Sequence, residues 1–88
     1  MPFRSVPAEC ALAAALAEIN RLGLTARAAV LGPAASPTMR VTLFQDGARV
    51  AVGAGKGAGP QGAASAHFEA LERYLMSARD NRRWTVDA

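Results

Sequence analysis

Between Met39 and Val52 apolar and polar residues alternate in two runs separated by Asp46-Gly47. A period of two marks strands with one buried face. A two-residue Asp-Gly connection marks a hairpin, because both residues tolerate the positive φ of a type I′ turn. With Asp46 and Gly47 as the loop, Gln45 faces Ala48, Phe44 faces Arg49, Leu43 faces Val50, Thr42 faces Ala51 and Val41 faces Val52. This register gathers the pairs Leu43/Val50 and Val41/Val52 on one face and Arg40, Thr42, Phe44, Arg49 and Ala51 on the other, as a half-buried antiparallel sheet requires. The expected strands are 39–45 and 48–52.

The flanking segments supply the layer that covers the apolar face. Leu12, Leu16, Ile19 and Leu22 recur at helical spacing, with Ser5 and Pro7 suited to a helix start and Gly23 to its end, so a helix is expected over 7–22. Residues 24–31 alternate Thr25, Arg27, Ala29 against Ala26, Ala28, Val30 and read as an edge strand. Two prolines make Gly32 to Pro37 a loop. Gly53-Ala54-Gly55-Lys56-Gly57-Ala58-Gly59-Pro60 reads as a glycine loop leading into a helix over 60–78, whose stripe is Ala64, Phe68, Leu71 and Leu75. A basic tail, 79–88, carries Arg79, Arg82, Arg83 and Trp84, the Trp folding back to extend a thin core. The expected fold is α+β in the order α-β-β-β-α: one domain, a three-stranded antiparallel sheet and two helices packed on one face.

Composition narrows the function. Eighty-eight residues build one two-layer core and leave little for an elaborate catalytic cavity. The chain is 51% hydrophobic and 19% charged with a net charge of +3, a mild basic bias that permits an anionic partner. The single Cys10 forms no internal disulfide or multi-Cys metal site, reads as a small packing residue, and fits a reducing, cytoplasmic setting. No apolar run has the length of a membrane span, and Glu9 and Glu18 interrupt the Ala-rich stretch that an export signal would keep apolar.

Three groups of residues bear on chemistry. Glycines around Lys56 before a helix N-terminus can turn backbone N–H groups toward an anion, though the order differs from known phosphate loops and a simple connection explains it equally. Ser65, Glu69 and Glu72 stand at i, i+4 and i+7, a row with the spacing to hold Mg²⁺ or to form a solvated face with Glu69 paired to Arg73. His67 lacks a second ligand and reads as a surface or boundary residue. No nucleophile and base can be assembled from neighbours.

Gly55-Lys56-Gly57 followed by Ser65-Ala66-x-x-Glu69-Ala70-x-Glu72-Arg73-Tyr74 resembles the early segment of YcaO-type ATP-dependent cyclodehydratases, over about Leu22 to Tyr74. That likeness implies that Lys56, Ser65, Glu69 and Glu72 contact nucleotide and metal, in a domain several times longer than this chain. The element order with a G-x-G-x-G run before an Ala-rich helix also looks like a double-stranded-RNA-binding domain, whose phosphate-gripping lysines are represented here by Lys56 alone. A small protein with this hairpin, Gly-Ala loop and Ala-rich helix is similar in style to phage-borne CRISPR inhibitors, which implies action by binding.

The expectation drawn from these readings is a non-catalytic interaction protein, an inhibitor of a nucleic-acid-processing complex of the anti-CRISPR type. It requires no metal or cofactor and acts as a monomer or homodimer. Its partner is a protein or protein–nucleic-acid complex, or nucleic acid directly, and no membrane. The partner-binding residues would be Arg40, Phe44, Arg49, Arg79, Arg82, Arg83 and Trp84. The alternatives are an ATP/Mg²⁺-site segment of the YcaO kind and a nucleic-acid-binding module.

Overall fold

The computed structural model describes residues 7–57 and 59–87, with side chains through residue 78. Ser5 and the side chains of Arg79, Arg82, Arg83 and Trp84 therefore lie outside the described residues. The elements are α1 (Ala8–Arg21), β1 (Thr25–Leu31), β2 (Thr38–Gln45), β3 (Ala48–Lys56) and α2 (Pro60–Asp87). The strands form an antiparallel sheet in the order β1-β2-β3. The chain is thus the expected α+β fold, with β1 on an edge.

Helix α1 begins after an extended Pro7 (φ −63, ψ 150), whose carbonyl accepts the N–H groups of Cys10 and Ala11 at 3.0 and 3.1 Å. It ends in a Schellman turn: Leu24 N–H donates to Ile19 C=O and Gly23 N–H, at φ 75, to Asn20 C=O, both at 3.0 Å. Ile19 and Leu24 are both buried, so an apolar contact closes the turn that delivers the chain to β1. The packed face is Ala15 and Ile19, with Leu12 and Leu22 against it. Leu16, expected in the stripe, stands about 100° round the helix from Ala15 and is 43% exposed. Cys10, expected to pack, is exposed on the flank away from Ala15.

The hairpin turn is as expected, with Asp46 at φ 54 and Gly47 at φ 84, and Gln45 pairs with Ala48 and Phe44 with Arg49. Beyond that the expected register is overturned by a β-bulge between Leu43 and Phe44, where Val50 is the extra residue. Leu43 pairs with Ala51, Thr42 with Val52, Val41 with Gly53, Arg40 with Ala54, Met39 with Gly55 and Thr38 with Lys56. The bulge turns both Val50 and Ala51 toward the core and moves Val52 to the outer face beside Thr42. It also brings Gly53 and Gly55 under α2. A Cβ on Gly53 would lie 2.5 Å from Ala66 O and 2.9 Å from Ala70 Cα, and one on Gly55 would lie 2.5 Å from Gly62 O. These glycines belong to β3, not to a loop: the strand runs on to Lys56 because helix and sheet backbones pack directly there.

Close approach also selects the face of α2. Ala63, Ala66, Ala70 and Leu71 join Met39, Val41 and Leu43 in the core, with Tyr74 beside them. Of the stripe expected over the sheet, Ala64 and Leu71 are buried, whereas Phe68 and Leu75 face outward, since no large side chain fits above Gly53. Helix α2 passes the expected end near residue 78 and continues to Asp87, as no Gly or Pro follows Gly62 to stop it. The helix layer centres on β2 and β3, and Val30 on β1 stays 53% exposed.

Candidate functional site

The face of the sheet turned away from the helices is open, and its composition follows from the register. Four rows cross it: Leu31, Thr38 and Lys56; Ala29, Arg40 and Ala54; Arg27, Thr42 and Val52; Thr25, Phe44 and Arg49. Each row holds one cation, and Arg27, Arg40, Arg49 and Lys56 are all exposed. Successive rows are two residues apart along a strand, about 6–7 Å. No Asp or Glu occurs in any strand: the seven acidic residues stand in α1, the hairpin turn and α2. The fold thereby concentrates positive charge on one side of a molecule whose net charge is only +3.

The centre of this face is concave. A cleft of about 400 Å³ is lined by Arg27, Ala28, Ala29, Arg40, Thr42 and Phe44. Arg27 sits opposite Thr42 and diagonal to both Arg40 and Phe44, so a guanidinium, a hydroxyl and a half-buried aromatic ring share one depression. Sequence reasoning placed Arg40, Phe44 and Arg49 on this face and missed Arg27 and Lys56. The connection Gly32 to Pro37 does not dictate how β1 registers on β2, and Lys56 lay in a glycine run that reads as loop.

The second candidate group lies along the β3 edge. Glu69 Oε1 accepts the N–H of Ala54 at 2.6 Å, and its Oε2 is 3.4 Å from Arg73. An N–H on the free edge of β3 is thus capped by a helix side chain. Ser65 and Glu72 are exposed on the same helix edge. The two halves of the glycine-and-serine motif meet: the Cβ position of Gly55 lies 3.0 Å from Ser65 Cβ and 2.9 Å from Ala66 N. At the helix start, however, carbonyl oxygens of Lys56 and Gly57 face Gly62, and the Gly57 N–H donates to Pro37 O at 2.9 Å. The amides expected to converge on an anion are not arranged to do so around Gly57. Among the described residues no three His, Cys, Asp or Glu side chains come together as a metal site.

His67, expected at the surface or its boundary, is instead buried, 6% exposed, with Nδ1 2.7 Å from Ala63 O. Its ring fills the buried flank of α2 and is satisfied within its own helix, which makes it a packing residue. Among the described residues no helix is long and apolar enough to cross a membrane. No protein-family model, curated protein or solved structure matches the chain.

Proposed function

We propose that this chain is a non-catalytic interaction module that docks through the outer face of its sheet onto a nucleic-acid-processing complex and inhibits it, in the manner the anti-CRISPR resemblance implies. One observation carries the reading: four staggered cations and an aromatic ring share an open face on which, among the described residues, there is no carboxylate. Exposed like charges repel one another in the free protein and are relieved when an anionic surface covers them. The test compares affinity capture from the native host by the wild type and by Arg40→Glu/Arg49→Glu, followed by assay of the captured complex's nuclease activity. The wild type retains and inhibits a complex that the variant neither retains nor inhibits. Equal capture by both proteins would remove this face from the function.

A second reading, an ATP/Mg²⁺-site segment of the YcaO kind, is favoured by the packing of Gly55 on Ser65 and Ala66, which joins the two halves of that motif. Here Lys56, Ser65, Glu69 and Glu72 would be its ligands. Under the first reading, the purified protein with Mg²⁺ and ATP releases no phosphate above a Glu69→Ala/Glu72→Ala control. Turnover that disappears in that double variant would establish the second reading instead.

A further inference from the structure

We infer that the outer sheet face is a track for a single strand of nucleic acid, with the phosphate backbone following Lys56, Arg40, Arg27 and Arg49 and a base stacked on Phe44. This rests on the reading of that face as the docking surface and names the component it grips. Three features distinguish a strand from a generic acidic surface. The cations occur one per row: Lys56, Arg40 and Arg27 step diagonally across β3, β2 and β1, and Arg49 stands back on β3 in the last row, so the positive charge is spread along the face and not clustered. Along the diagonal, Lys56, Arg40 and Arg27 are each one row and one strand apart, about 8 Å, a separation that long side chains can adjust to successive phosphates of an extended strand. Phe44 lines the cleft together with Arg27, Arg40 and Thr42, where an unpaired base can lie on the ring while a guanidinium meets its phosphate. Stacking requires bases free of a duplex, and an open sheet with one aromatic platform offers this where a groove reader would not. Thr25, Thr38 and Thr42 share the face and add hydroxyls able to donate to phosphate oxygens.

Fluorescence anisotropy with a labelled 12-nucleotide oligo-dT or oligo-rU tests this against poly-glutamate as a competing polyanion. Four phosphate contacts on a single strand give a slope of log K against log[salt] of about −3, or roughly fiftyfold weaker binding between 50 and 200 mM salt. Arg27→Ala lowers that slope by about 0.7. Phe44→Ala weakens binding on the order of tenfold at every salt concentration and leaves the slope unchanged, because stacking releases no counterions. These positions lie on the open face, so the circular-dichroism melts of the variants serve as the folding control. Poly-glutamate competing as well as the oligonucleotide, with Phe44→Ala without effect, would overturn the strand and leave a general acid-surface site. Failure to bind either polyanion would overturn the anionic docking face itself.

Discussion

Gly53, Gly55 and Gly62 set the distance between α2 and the sheet. Gly53→Ala forces a methyl against Ala66 O and Ala70 Cα and is expected to cost about 1–3 kcal/mol or more, whereas Gly59→Ala, with nothing within 4 Å, is expected to be neutral. Urea melts of the two variants check this. The crowding was not legible in the sequence, where a run of glycines reads equally as a loop or an anion cradle. Only the position of α2 shows that their missing side chains are used for packing. Glu69 carries a similar lesson: its spacing from Ser65 and Glu72 was visible, but its bond to the Ala54 N–H depends on which edge of β3 faces α2. Glu69→Ala should destabilise the fold by about 1 kcal/mol with any nucleotide absent, which denaturant titration can show. On α1, the Arg21 guanidinium, bonded to Glu18 Oε1 at 3.0 Å, holds the Glu18 carboxyl below its ordinary value of 4.5. Because the folded value is depressed, the pair's contribution is present above that value and fades as pH falls through the folded one. Arg21→Gln should return the Glu18 titration, followed by side-chain carbonyl NMR shifts, toward 4.5.

At the scale of elements, the hairpin shows where pattern suffices and where it does not. Asp46-Gly47 dictates the turn and the two pairs beside it, and β2 alternates so regularly that Val41 and Leu43 are assigned to the core from sequence alone. In β3, Val50, Ala51 and Val52 are all small and apolar, so nothing in the pattern reports that a bulge turns two successive residues inward. The consequence is measurable. Val41→Asp places an unpaired charge at a fully buried position and should unfold the domain, a cost of several kcal/mol. Val52→Asp, beside Thr42 on the outer face, should leave the fold intact by circular dichroism. Unfolding by Val52→Asp and tolerance of Val41→Asp would reverse the two faces. Helix boundaries show the same division: the Gly23 turn was readable, whereas α2 runs to Asp87 because stopping signals, not weak formers such as Asp80 and Asn81, end helices.

The molecule as a whole measures 48 × 34 × 19 Å, two layers thick, with its acidic residues confined to the helices and the hairpin turn and the strands bearing cations alone. That separation is invisible to net charge and emerges only when the β1–β2–β3 register is known, because Arg27 reaches the face from a strand joined to the hairpin through a loop and Lys56 from the far end of β3, past the bulge, in a glycine run that reads as loop. It makes binding through the sheet sensitive to salt, while binding along the helix edge would depend on Mg²⁺ coordinated by Glu69 and Glu72. The measurement that separates them most directly is a ¹⁵N-HSQC titration of the protein with a short oligo-dT, repeated with Mg²⁺-ATP. Binding through the sheet face shifts Arg27, Ala29, Arg40, Thr42, Phe44 and Arg49 on addition of the oligonucleotide and leaves the amides of Ser65, Glu69 and Glu72 unmoved by either ligand. Shifts confined to Gly57, Ser65, Glu69 and Glu72, with the open sheet face silent, would contradict it.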